Sequence, residues 1–202
     1  MANKLLVEGI DDQHVCLAIF ELHRVPETFV VKPKQGIETL IQHLDVEILE
    51  SGLTRLGIIV DADADLLNRW KQIRAKLKDI GYIRIPDAPL PDGTILEQVG
   101  KPRIGVWIMP NNTAAGSLEN FVESLVPEGD DLWQDAMADV NRLGDRQRFR
   151  SQDVIKAQMY TWLAWQREPG RPMGVAITAR YLDAHSSHAV NFISWVTRLF
   201  VE

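Results

Sequence analysis

Three carboxylates carry the first chemical signal in this sequence. Glu8 follows the apolar run Leu5-Leu6-Val7, and Asp61 and Asp63 follow Leu56-Gly57-Ile58-Ile59-Val60. If both runs are strands, one acid at the end of the first and two at the end of the second offer several hard oxygen donors in a small volume, which suits Mg²⁺ or Mn²⁺. Crowded without a cation, such groups raise one another's pKa. A divalent ion removes that penalty and can bridge to a substrate phosphate. An Asp-x-Asp after a strand also occurs as plain solvated loop acids, in phosphatases, in nucleotide-sugar transferases and in phosphoacceptor domains. Taken alone, the acids therefore leave the chemistry open.

What must position them is an alternation of strands and helices. After the first run, apolar residues Val15, Ile19 and Phe20 share one face of a helix expected from about Asp11 to His23. Thr28 to Val31 reads as a second short strand, and Ile37, Leu40, Ile41 and Leu44 form the stripe of a second helix. Residues 56 to 60 give the strongest buried-strand signal, with a helix from about Leu66 to Ile80 behind the acids. Ile83 to Gly100 is rich in Pro and Gly and contains the strand Thr94-Ile95-Leu96; Ile104 to Met109 reads as another core strand. Helices are expected at Ser117 to Leu125, Asp130 to Leu143, Ser151 to Trp165 and His188 to Phe200. Strands alternating with amphipathic helices imply parallel pairing through right-handed crossovers, so Glu8, Asp61, Asp63 and Asn111-Asn112 should meet at one edge of the sheet. Open α/β sheets bind their ligands at that edge.

Composition bounds the rest. At 202 residues, 46% hydrophobic and 25% charged, the chain reads as one α/β domain over 1–202, with a core over 1–110 and a mainly helical extension over 111–202 packed on it. It has no apolar run long enough to cross a bilayer and no signal-peptide pattern after Met1, so a cytoplasmic protein without a membrane partner is expected. Cys16 is the single cysteine, which excludes an internal disulfide framework and any zinc site built on paired cysteines. A net charge of −6 argues against a generally basic coat for nucleic acid, since affinity for phosphates comes mainly from Lys and Arg. It leaves room for an enzyme whose metal reverses the field locally.

Val7-Glu8-Gly9-Ile10-Asp11-Asp12 followed some fifty residues later by Ile59-Val60-Asp61-Ala62-Asp63 resembles, in order and spacing, the two signature motifs of the Toprim superfamily. The likeness covers about residues 3 to 80. It implies a Toprim-like, mostly parallel Rossmann-like sheet flanked by helices, with Mg²⁺ (or Mn²⁺) at Glu8, Asp61 and Asp63, or with Glu8 in proton transfer instead. The later run Gly105-Val106-Trp107-Ile108-Met109-Pro110-Asn111, with Gly116-Ser117-Leu118-Glu119, is similar to the Toprim-related family DUF3226 and extends the likeness through most of the chain. A more distant likeness to Toprim nucleases of the OLD group implies metal roles for Asp12 and Glu119 and a catalytic role for Lys156, which would stabilise charge on the scissile phosphate.

Each of these residues has a plainer reading. Asp12 and Asp65 suit helix caps, Glu119 suits the first turn after an N-cap at Ser117, and Lys156 suits a solvated helix face. Arg142, Arg146, Arg148 and Arg150, with Lys156, form the densest basic stretch, either a solvated face or a phosphate track. His185 and His188 lack a third ligand nearby. Trp162, Trp165 and Trp195 read as packing between late helices, and Cys16 as a buried apolar residue. The expectation is a metal-dependent nuclease acting on DNA or RNA by two-metal hydrolysis, with a partner ATPase fitting the OLD likeness. The alternatives are a non-catalytic Toprim module holding Mg-nucleotide or a partner, and a phosphohydrolase of small esters. A topoisomerase or bacterial primase would need a gate, or zinc-binding cysteines and further domains.

Overall fold

A computed structural model describes residues 3–202. Five strands form one sheet, β1 (Lys4–Val7), β2 (Val30–Pro33), β3 (Arg55–Asp61), β4 (Thr94–Leu96) and β5 (Arg103–Met109), in the order β2-β1-β3-β5-β4. The first four in that order run parallel. β4 runs antiparallel to β5, because the few residues joining them are too short for a crossover. The architecture is thus α/β with a mostly parallel sheet, flanked by helices and followed by more helices, as the pattern implied.

Side-chain alternation along the central strands divides the interior into two cores. Leu5, Val7, Ile59, Trp107 and Met109 face one side, where α1 (Ile10–Leu22), α5 (Leu118–Glu123), α6 (Asp131–Asn141), α7 (Val154–Ala164), α8 (Met173–Thr178) and α9 (Ser187–Phe200) pack. Leu6, Ile58, Val60, Ile104, Val106 and Ile108 face the other, covered by α2 (Ile37–Gln42), α3 (Leu44–Ile48) and α4 (Leu66–Asp79). Covering both faces explains why β3 and β5 read as continuous apolar runs. Gly57 and Gly105 are register partners on the first face. A methyl on Gly105 would lie 2.4 Å from Leu199 Cδ2, so the bare backbone is what lets α9 lie against the sheet.

Several expectations are corrected. The stripe from Ile37 to Leu44 is divided at His43 into α2 and α3. The second strand lies two residues later than read, and α8 carried no sequence signal. Trp162 and Trp195 are buried as expected, but Trp165 closes α7 and is 40% exposed. Cys16 is buried. Among the described residues, no helix is long and apolar enough to cross a membrane.

From β1 the chain passes through α1 to β2 on one side, then through α2 and α3 to β3 on the other. Strand order therefore reverses between β1 and β3, and a crevice opens at their C-terminal ends.

Candidate functional site

Glu8 and Asp61 stand at that reversal. The carboxylate of Glu8, just past β1, accepts a hydrogen bond from the Asp61 backbone N–H at 2.7 Å, so residues 53 apart in sequence are joined directly. Asp12, in the first turn of α1, accepts from the Gly9 N–H at 3.0 Å through Oδ2. It caps the helix, yet its Oδ1 is sealed from solvent with no partner. Asp61 Oδ1 is sealed and unpartnered in the same way.

The loops that follow β3 and β5 are stitched together. Asp63 adopts a left-handed backbone with φ 52°, a conformation Asp tolerates better than most residues. Its N–H and C=O pair with Gly116 at 2.9 and 2.8 Å. This bridge holds the start of α5 beside the end of β3, and with it Glu119. Glu119 is buried, accepts from the Ser117 hydroxyl at 2.7 Å and pairs with Lys156 of α7 at 3.1 Å. The Asp63 carboxylate instead meets Arg69 at 2.5 Å. Asp65 caps α4, accepting from the Asn68 N–H at 2.9 Å, as the sequence suggested.

The six residues given metal or catalytic roles from the sequence, Glu8, Asp12, Asp61, Asp63, Glu119 and Lys156, line one open cleft of about 910 Å³. Arg150, Asp153 and Asp11 also border it, so seven carboxylates face two cations. A second cleft of about 720 Å³, along α1 and β2, has apolar walls such as Leu17, Phe20 and Phe29 and holds none of the strand-end acids. His185 lies instead against the His23 ring at 4.9 Å.

The protonation behaviour follows from burial and crowding. Burial pushes the Glu8 carboxyl up to about 7, with Asp12 and Asp63 adding to the rise, while the bond from Asp61 and the charge of Arg69 oppose it. Burial likewise lifts Asp12 to about 6, aided by Glu119 and Asp11 against its backbone hydrogen bonds. Asp61 is raised well above the carboxylate range by burial first, then by Glu8, Asp12, Glu119 and Asp63. These are acids competing for too little positive charge. Burial works against the Lys156 ammonium, but the charge and hydrogen bond of Glu119 outweigh it and raise its pKa.

Two sealed carboxylate oxygens inside an all-oxygen donor set with surplus negative charge fit a hard divalent cation. Asp63 and Glu119 are drawn off to Arg69 and Lys156, and among the described residues no group of three or more His, Cys, Asp or Glu is placed so that it could hold a metal ion. Arg69 is the residue sequence reasoning missed. Buried at the base of α4, it donates to the Asp61 carbonyl at 2.8 Å as well as to Asp63. In the sequence it is one more arginine on a polar helix, and only its inward orientation gives it a role.

Fold and cleft together define an α/β protein with an acidic edge at the switch point of a mostly parallel sheet. The chain belongs to DUF3226, described as a protein family of unknown function, which matches residues 2–201. No curated protein and no solved structure matches it.

Proposed function

We propose that the chain is a metal-dependent nuclease that hydrolyses phosphodiester bonds of DNA or RNA, with Mg²⁺ or Mn²⁺ held by Glu8, Asp12, Asp61, Asp63 and Glu119. The observation that carries this reading is Asp61, whose sealed oxygen lacks any partner while burial first, and then the surrounding carboxylates, hold its pKa up. The motif resemblance to Toprim nucleases supports it, and so does the open cleft with Lys156 and Arg150 on one wall.

In the reaction, a water oxygen bonds to phosphorus as the bond to the leaving oxygen breaks, and that oxygen takes up a proton. Bound divalent ions would supply activation of water and neutralisation of charge on the phosphate. Glu8, in the alternative in which it is not a metal ligand, is the chain's own candidate to receive the proton of the attacking water. Lys156, 51% exposed on its side chain, can exchange Glu119 for a phosphate oxygen and stabilise charge there.

A second reading is a non-catalytic module that binds Mg-nucleotide. The pairs Arg69–Asp63 and Lys156–Glu119 favour it, since they engage two of the five acids within the protein. The deciding experiment is cleavage of supercoiled plasmid, single-stranded DNA and structured RNA in Mg²⁺ and Mn²⁺ by the wild type and by Glu8→Ala and Asp61→Ala. Cleavage lost in both folded variants supports the nuclease and names its polymer. Calorimetric metal binding without cleavage of any polymer would transfer the case to the binding module.

A further inference from the structure

The wall of the cleft formed by the α6–α7 connection continues beyond the acids. Residues 142–156 carry Arg142, Arg146, Arg148, Arg150 and Lys156 against Asp145 and Asp153, five cations to two acids, in a chain of net charge −6. Arg150 and Lys156 border the cleft itself. Arg142 and Arg150 have carboxylate partners three residues away, Asp139 and Asp153. Arg146 and Arg148 do not. Both are exposed, Arg146 donates only to the backbone carbonyls of Leu143 and Arg142, and among the described residues neither forms an ion pair.

Two exposed guanidinium groups without carboxylate partners, on a protein with more acids than bases, are unneeded for solubility and unneeded by a small ester that fits within the cleft. They suit a ligand that enters the cleft and extends out of it with repeating anionic charge. We infer that residues 142–156 form a track for the sugar–phosphate backbone of a nucleic-acid strand, with Arg146 and Arg148 contacting phosphates outside the cleft and Arg150 and Lys156 contacting those at its mouth. The inference rests on the nuclease reading for what happens inside the cleft, but binding along the track is separable from chemistry. Guanidinium groups match phosphate oxygens in bidentate geometry, and each contact releases counterions, so the track has a defined salt signature.

The test compares the wild-type chain with the double variant Arg146→Gln/Arg148→Gln, checked for an unchanged melting temperature. Binding of labelled single-stranded DNA, RNA of the same sequence and anionic phospholipid vesicles is followed from 50 to 200 mM KCl in Ca²⁺. In parallel, cleavage of the polymers and of bis-p-nitrophenyl phosphate is measured in Mn²⁺. The expected result is a fall of about 1.4 in the slope of log affinity against log salt for single strands, from two phosphate contacts at about 0.7 each. The ratio of polymer to ester cleavage falls at least tenfold, and the DNA and RNA arms show which strand is taken. Unchanged affinity and slope, or a wild type that binds neither strand, overturns the track. So does loss of vesicle binding alone, which assigns the arginines to a membrane surface. Arginine-dependent strand binding by a wild type that cleaves neither polymer nor ester upholds the track and removes the nuclease.

Discussion

Strand β1 has an ionisable side chain at its start and another just past its end, and the two are treated oppositely. At its start, Lys4 is only 2% exposed, and its ammonium meets Glu47 at 2.7 Å and also Glu50, while Lys34 meets Glu47 from the other side. Burial alone would lower the Lys4 pKa, but the hydrogen bonds and charges of the two glutamates reverse the effect and raise it. Past its other end, Glu8 faces Asp61 and Asp12, whose buried oxygens have no partner. One cluster is neutralised within the chain, as a purely structural charge must be. The other is left in deficit, which the cation of the proposed function would offset.

The contrast can be broken in four ways. The largest effect is catalytic: Asp61→Ala is expected to lower divalent-dependent cleavage by about 10³-fold, about 4 kcal/mol of barrier, and retained turnover would separate the acidic cluster from any reaction.

Next is pH. The Glu8 carboxyl is raised from 4.5 in the unfolded chain to about 7 in the folded one. Its stabilising contribution is therefore complete below about 4.5 and is lost as pH rises through about 7, a swing of roughly 3 kcal/mol without metal. Asp12, raised to about 6, acts with the same sign. The raised Lys4 pKa keeps its contribution constant over this range. Urea midpoints without divalent metal should fall between pH 5 and pH 8, and a flat profile would mean the acids are neither desolvated nor crowded.

Lys4→Met, which keeps the aliphatic stem but removes the charge, should cost about 2 kcal/mol and lower the melting temperature by about 4–8 °C. Asp61→Asn should do the reverse in metal-free buffer, raising the melting temperature by about 2–4 °C, because it removes a charge that nothing in the chain compensates. In Mn²⁺ that advantage should shrink or invert, since wild type gains stability from binding and the variant does not. Two substitutions of the same sign would erase the distinction between the ends of β1.

Part of the site was legible early because its signals are local. A carboxylate directly after an apolar run predicts an acid at a strand end, and alternation of strand and helix predicts that such ends share an edge; Glu8, Asp12, Asp61, Asp63, Glu119 and Lys156 accordingly line one cleft. The break at His43 and the helix α8 were not legible, because a stripe or a short apolar run is compatible with more than one backbone path until packing selects one. The antiparallel β4 follows from connection length rather than from its three residues.

The sequence by itself determined the periodicity, and with it the alternation of strands and helices, the buried character of β3 and β5, and the acids at the strand ends. Tertiary structure alone decided which charges are compensated. It turned Arg69 inward onto Asp63 and the Asp61 carbonyl, set Lys156 against Glu119, enclosed Lys4 with two glutamates, and left Asp61 and Asp12 with sealed, unpartnered oxygens. Burial and charge pairing are sums over neighbours distant in the chain, and no local pattern of residue types records them.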